Sequence, residues 1–338
     1  MSSPLTVTSL APLTDELRAR IRQIDDRIDL REIDRETSEW LFVQEGSAVE
    51  QARHQAAVLA ATDGAEVWFS YMFRNLPFAS ADSLRWVQLL SAGVDRILAQ
   101  PVQDRVTITN VAGMHATPIG EWVLAFLLMH AKQMPRALDS QRRGRWERYR
   151  TAKSLSGATV GIVGLGGIGR EVARLCDAFG ARVIATRRRA TSGESIPHID
   201  AVYPLSELHA LLGAADYVVL SMPLTDATRG MIGAAEFDAM RPTGVLVNIA
   251  RGPVVNWEAM LAALQEERIG AVYTDVTVPE PLPDDDPAWD TPNLIITPHV
   301  SGFFPDYVPA AAEIFIDNLQ RYVAGEPLRN VVDRELGY

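Results

Sequence analysis

Cysteine is almost absent from this chain: Cys176 is the single one among 338 residues. One thiol can neither close an internal disulfide nor build a multi-thiolate centre, so no metal site is expected. Val172, Ala173, Cys176 and Phe179 recur at helical spacing, which makes Cys176 a small buried apolar residue. Long hydrophobic runs are missing too. The longest, Trp122 to Met129, falls far short of the roughly 20 residues that cross a bilayer. Met1 to Leu10 shows no basic start followed by an apolar core, so no secretory leader is expected and the chain reads as soluble and cytoplasmic. Positive charge is in deficit, with 32 basic against 43 acidic residues and a net charge of −11. That field disfavours nucleic acid and anionic membranes as partners, and an anionic ligand would need local cations to hold it.

What is present is an ordinary globular composition, long enough for two domains. Short β-branched runs alternate with amphipathic stretches, the pattern of a parallel sheet covered by helices and hence an α/β fold. In the N-terminal third a helix is expected over 14–24, with strands over 65–70, 86–90 and 106–110. Thr117-Pro118 then resembles a helix start, Thr117 as the cap and Pro118 in the first position, for a helix running to about Ala137. The arginine-rich stretch 140–156 reads as a solvated connector. From Ala158 the pattern sharpens into strands over 159–163, 182–186, 217–220, 245–249, 271–275 and 294–297. A Rossmann-type doubly wound sheet is therefore expected over residues 112–303, and the amphipathic stretch 309–324 should return to the N-terminal part.

Gly164-Leu165-Gly166-Gly167-Ile168-Gly169 fits G-x-G-x-x-G. The pattern is weak alone but informative here, because it follows a strand and opens an apolar helix. Gly164 would permit the turn, Gly166 would admit a pyrophosphate close to the backbone, and Gly169 would let helix and strand pack tightly. The helix N-terminus adds free N–H groups and partial positive charge. About 20 residues further on, an NAD enzyme places an acid against the ribose hydroxyls. This chain has Thr186-Arg187-Arg188-Arg189 instead. Guanidinium groups bind a 2′-phosphate that a carboxylate would repel, so Arg187 and Arg188 are read as the clamp, Thr186 as a supporting hydroxyl, and NADP(H) as the cofactor.

Reduction of a 2-oxo acid requires a cation for the carboxylate and carbonyl, an acid for the forming alkoxide, and a partner that keeps that acid charged. Arg251, Glu280 and His299 supply these types, each beyond the carboxyl end of an expected strand, where open α/β sheets bind ligands.

With these residues assembled, the chain resembles the D-isomer-specific 2-hydroxyacid dehydrogenase family, and within it the glyoxylate and hydroxypyruvate reductase branch. Ser91-Ala92-Gly93-Val94-Asp95, the glycine fingerprint, Pro223-Leu224-Thr225 with Thr228, Asn248 to Gly252, Asp275 to Pro281, Pro298-His299 and the ending through Asn330-Val331-Val332-Asp333 all carry the likeness. The resemblance implies His299 as general acid/base, Glu280 as the carboxylate that orients it and keeps it protonated, and Arg251 as the grip on substrate. It implies a carboxylate site at the backbone of Ala92 and Gly93, an Asp275 contact to the nicotinamide carboxamide, and Pro223, Thr228, Ile249 and Ala250 along the cofactor. It further implies a discontinuous, flavodoxin-like α/β substrate domain (1–111 and 304–338), a cleft between domains, and a homodimer. Glu280 stands where formate-oxidising relatives carry glutamine.

Two other readings remain open on the sequence: a non-catalytic NADP(H)-sensing protein on the same fold, and oxidation of a small anion such as phosphite. Tyr71, Met72, Phe73 and Arg74, with Phe303 and Phe304, are candidates for the substrate's side-chain pocket. His54, His115, His130, His198 and His209 are read as structural, His115 lying near the domain crossing.

Overall fold

Two parallel sheets organise the molecule, one in each of two compact units. The computed structural model describes residues 3–43, 46–71, 75–187 and 195–338. One unit takes Met1–Met114 with Phe304–Tyr338, the other His115–Phe303.

The first unit contains β1 (Leu5–Ser9), α1 (Asp15–Arg22), β2 (Ile28–Glu32), α2 (Arg35–Val43), α3 (Ala48–Thr62), β3 (Val67–Ser70), β4 (Trp86–Leu89), α4 (Asp95–Leu98) and β5 (Thr107–Thr109). Strand order is β2-β1-β3-β4-β5, all parallel, the flavodoxin-like doubly wound order. Both faces are covered, so β1, β3 and β4 are buried along their whole length, and period-two alternation divides their side chains between layers. Val67 and Phe69 join one core cluster while Trp68 joins the other. A C-terminal helix (Tyr307–Ala324) closes the first layer, stacking Phe315 on Phe69 with ring centroids 4.6 Å apart. Its fully buried Asn318 donates to Gln88 Oε1 at 3.0 Å and accepts the Arg329 N–H at 2.8 Å. Buried polar groups persist when paired in this way.

The second unit contains α5 (Ala116–Ala131), α6 (Met134–Arg142), β6 (Thr159–Val163), α7 (Gly167–Ala178), β7 (Arg182–Thr186), β8 (Ala201–Tyr203), α8 (Leu208–Ala214), β9 (Tyr217–Leu220), α9 (Ala234–Ala239), β10 (Val245–Asn248), α10 (Trp257–Gln265), β11 (Ala271–Thr274) and β12 (Leu294–Ile296). Its order, β12-β11-β10-β9-β6-β7-β8, reverses direction between β6 and β9. That switch point is where doubly wound sheets open a crevice beyond the strand ends. Apolar clusters pack on both faces, one of them including Cys176, whose thiol burial pushes up to about 12.

The long helix expected over 117–137 is instead two. It starts at Ala116 with His115 at the cap position, so Thr117 and Pro118 fall within its first turn. It ends at Ala131, and Gln133 adopts a left-handed φ of 53° before α6 begins. Pro135 is the reason: its ring cannot sit in a helix interior but suits a first turn. Among the described residues, no helix is long and apolar enough to cross a membrane, and no group of three or more His, Cys, Asp or Glu could hold a metal.

Candidate active site

The turn after β6 can only be glycine. Gly164 has φ +99°, and a Cβ there would lie 2.7 Å from Met222 N. A Cβ on Gly169 would lie 2.5 Å from Gly164 O, so α7 approaches β6 as closely as backbones allow. A Cβ on Gly166 or Gly167 would meet nothing within 4 Å, and no side chain caps the start of α7. A turn that opens space in front of an uncapped helix N-terminus fits a dinucleotide's pyrophosphate. Leu165 and Ile168 pack partly into the core beneath.

At the end of β7, Thr186 is 1% exposed and its carbonyl accepts the Gly164 N–H at 3.3 Å. Thr186 thus belongs to the wall of the sheet, and Arg187 is the first half-exposed group after it. Arg188 and Arg189 lie outside the described residues. In the loop after β9, the Thr228 hydroxyl donates to Pro223 O at 2.7 Å and accepts the Thr225 N–H at 2.8 Å, closing the turn on itself.

Arg251, Glu280 and His299 stand after β10, β11 and β12, three neighbouring strands. Asn248, which ends β10, accepts the Ala250 N–H at 3.1 Å through its side chain and donates to Arg251 O at 3.3 Å. Ile249 and Ala250 are buried behind this turn, and the half-buried Arg251 donates from Nη1 to Ala250 O at 2.8 Å. Next to it, a Cβ on Gly252 would lie 2.1 Å from Thr277 O, so the loops after β10 and β11 meet backbone to backbone.

Glu280 Oε1 lies 2.7 Å from His299 Nδ1. An ionised carboxylate only accepts, so Nδ1 carries the donating proton and Nε2 is left for other chemistry. The ring and its partner are partly open, with side chains 41% and 27% exposed. His299 has φ +55°, a left-handed conformation unusual outside glycine. Asp275, 1% exposed, secures the segment: its carboxylate accepts Thr297 Oγ1 at 2.5 Å and the N–H groups of Val300 and Ser301 at 2.9 Å each.

His115, read from sequence as structural, lies within electrostatic reach of this group. Burial, then the charges of Arg251 and His299, push its imidazole down to about 4. Asn248 and Gly252 were legible as parts of a motif, but their work of setting Arg251's turn was not. His115 follows no strand, and nothing in its sequence neighbourhood marks it as close to residues beyond 250.

In the first unit, the turn after β4 has its carbonyls engaged: Asn110 Nδ2 donates to Ala92 O at 2.9 Å and Ser91 Oγ to Gly93 O at 3.2 Å. Beside it, Tyr307 donates its hydroxyl to Leu90 O at 2.6 Å, and its ring stacks on Tyr71 with centroids 6.3 Å apart. Phe304 packs on Tyr307 at 5.7 Å. Met72, Phe73 and Arg74 lie outside the described residues.

Comparison with known proteins agrees with this geometry. The family model described as "D-isomer specific 2-hydroxyacid dehydrogenase, NAD binding domain" matches residues 124–301, more than half of the chain. The glyoxylate reductase/hydroxypyruvate reductase of Mus musculus is 33% identical over 233 residues, 67% of this chain and 70% of its own. A D-isomer specific 2-hydroxyacid dehydrogenase family protein from Aeromonas salmonicida subsp. salmonicida A449 has a TM-score of 0.81 at 30% identity, covering 98% of this chain and 100% of that one. An NADPH-dependent glyoxylate/hydroxypyruvate reductase from Sinorhizobium meliloti, solved with NADP and sulfate, gives 0.80 at 26% identity and covers all of both chains. A Rossmann sheet, a glycine turn and three polar groups beyond adjacent strands thus coincide with a match over most of the length: this chain belongs to the D-isomer-specific 2-hydroxyacid dehydrogenase family.

Proposed function

We propose that the protein is an NADPH-dependent reductase of 2-oxo acids to D-2-hydroxy acids, able to run in reverse. The observation that carries this reading is the His299–Glu280 pair, 2.7 Å apart on the loops after β12 and β11, beside the loop of Arg251 after β10 in a dinucleotide-binding sheet. The bound nicotinamide supplies the hydride. Arg251 would grip the substrate carboxylate and polarise the carbonyl, a task suited to the guanidinium's forked donors. His299 would pass the Nε2 proton to the forming alkoxide, while Glu280 holds Nδ1 and so fixes ring orientation and tautomer.

On the cofactor side, Gly164 to Gly169 would receive the pyrophosphate and Arg187, with Arg188, the 2′-phosphate. The absence of any acid between Asp177 and Glu194 supports NADPH over NADH, and the Sinorhizobium meliloti relative was solved with NADP. Pro223, Thr228, Ile249 and Ala250 would line the cofactor. Asp275 uses three acceptor positions of about four on a carboxylate. The remaining one would take the carboxamide. The backbone of Ala92 and Gly93 is proposed as the second carboxylate contact and a homodimer as the working form, both on family likeness. The aromatic wall of Tyr71, Tyr307 and Phe304 beside that turn favours substrates with an apolar side chain.

The test is initial rates with NADPH and with NADH across glyoxylate, hydroxypyruvate, pyruvate, phenylpyruvate and branched 2-oxo acids. Turnover with strong NADPH preference is expected. Tight NADPH binding with no turnover on any substrate would sink the enzyme reading in favour of a sensor.

A further inference from the structure

His115 is the first residue of the second unit and sits at the N-terminal cap of α5, 8% exposed. Its imidazole edge lies directly against the backbone of Gly302: a Cβ there would stand 3.0 Å from His115 Cδ2 and 3.7 Å from Ile119 Cδ1. Ile119 is one helical turn further along α5, so the ring and a methyl group together seat a single backbone position. Gly302 ends the short segment that carries His299. The same segment is held by Asp275 through Thr297, Val300 and Ser301. Two residues separate His299 from the seat, and both have their N–H groups pinned. A shift at Gly302 therefore has few torsions in which to dissipate before it reaches the histidine.

The chemistry of the seat also fits its place. With its proton affinity lowered by burial, Arg251 and His299, the ring is uncharged near neutral pH. A neutral, flat ring fills the space without adding a cation that would compete with Arg251 for an anion.

We propose that His115 is a positioning residue for His299, its ring setting the height of the Gly302 backbone and thereby the placement of the catalytic imidazole. The proposal rests on the reading of His299 as the acid.

A double-mutant cycle tests it. Gly302→Ala inserts a methyl group that the His115 ring must meet, and a displacement well under the ~1 Å that costs about 100-fold should still lower kcat by about tenfold. His115→Ala clears the space, so the double variant His115→Ala/Gly302→Ala should recover turnover relative to Gly302→Ala alone. Throughout, NADPH affinity measured by fluorescence titration should stay within about twofold, which separates placement of one side chain from general unfolding. Full kcat in Gly302→Ala, losses that simply multiply in the double variant, or NADPH affinity falling in step with kcat would each overturn the proposal. A His299→Ala control distinguishes the two levels. If it abolishes turnover while the cycle is additive, His115 alone loses its role; if it retains turnover, the acid assignment fails and this proposal fails with it.

Discussion

Asp275 holds His299 through the residues on either side of it, accepting Thr297 Oγ1 from before and the N–H groups of Val300 and Ser301 from after. The histidine itself stands at φ +55°. A left-handed residue other than glycine costs roughly 1–2 kcal/mol. Hydrogen bonds to a charged acceptor contribute about 1.5–3 kcal/mol each, so three of them outweigh that cost. The strained conformation is thus imposed by the residue that follows β11 upon the loop after β12.

Asp275→Asn tests this clamp. An amide cannot accept on both sides, so at least one buried N–H loses its partner, a penalty of about 1–3 kcal/mol. For a domain of this size each kcal/mol lowers the melting temperature by about 2–4 °C. A calorimetric melt should show that drop together with reduced kcat; an unchanged melting temperature would mean that the clamp contributes nothing.

The pair itself predicts an asymmetric result. His299→Ala should cut turnover by about 10²–10⁴, with NADPH binding nearly intact. Glu280→Gln keeps an oxygen for Nδ1 but allows the amide to turn, so a smaller loss is expected. Single-turnover rates compare the two, and a Glu280→Gln loss as large as that of His299→Ala would give Glu280 more than an orienting role.

The parts of this site that announced themselves in sequence are those where one residue type must stand in one local setting. Gly164 after a strand, arginine where an acid is usual, and Pro298-His299 at a strand end are all local statements. Pro135 is equally local: it starts a second helix where the apolar pattern alone predicts one. The supports were illegible for a different reason. Asp275 reaches Ser301, Gly252 meets Thr277, and His115 touches Gly302. Each joins residues more than twenty apart in the chain, and neither hydrophobic period nor turn chemistry carries that information.

His115 also makes stability depend on pH. Its ordinary value of 6.5 applies to the unfolded chain, while in the fold burial first, then Arg251 and His299, hold it at about 4. Between those values the unfolded state binds the extra proton. The contribution, about 3 kcal/mol, is therefore fully present above pH 6.5 and is lost as pH falls toward 4. Urea unfolding at pH 7.5 and pH 5 should show about 2 kcal/mol of this loss in the native chain and a smaller one in His115→Phe. Equal pH dependence in both would mean that the buried imidazole titrates normally.

Arg187→Asp should exchange cofactor preference. Removing the guanidinium forfeits charge-assisted bonds of about 1.5–3 kcal/mol, hence roughly 10- to 100-fold in NADPH affinity. The new carboxylate repels a 2′-phosphate and suits free ribose hydroxyls. The ratio of kcat/KM for NADPH over NADH reads both effects, and an unchanged ratio would place the 2′-phosphate away from Arg187.

The contact between Gly252 and Thr277 makes the sharpest demand on the site. A Cβ on Gly252 would stand 2.1 Å from Thr277 O, 2.6 Å from Thr277 C and 2.9 Å from Val278 Cγ2. Two of these atoms are backbone, so no rotamer change relieves the clash and the loops after β10 and β11 must part. Arg251 adjoins one loop and Glu280 lies on the other, so Gly252→Ala separates the cation from the His299–Glu280 pair. Overpacking of this kind costs about 1–3 kcal/mol, which leaves a folded protein, whereas a displacement of ~1 Å among reacting groups costs about 100-fold in rate. kcat/KM should therefore fall far more than a modest drop in melting temperature would suggest. Gly213→Ala is the control, since its Cβ meets only Ala239 O at 3.4 Å within α8, and alanine there should be neutral or stabilising. If Gly252→Ala retains full kcat/KM while Gly213→Ala behaves as expected, the approach of the two loops does not set the distance between Arg251 and the histidine.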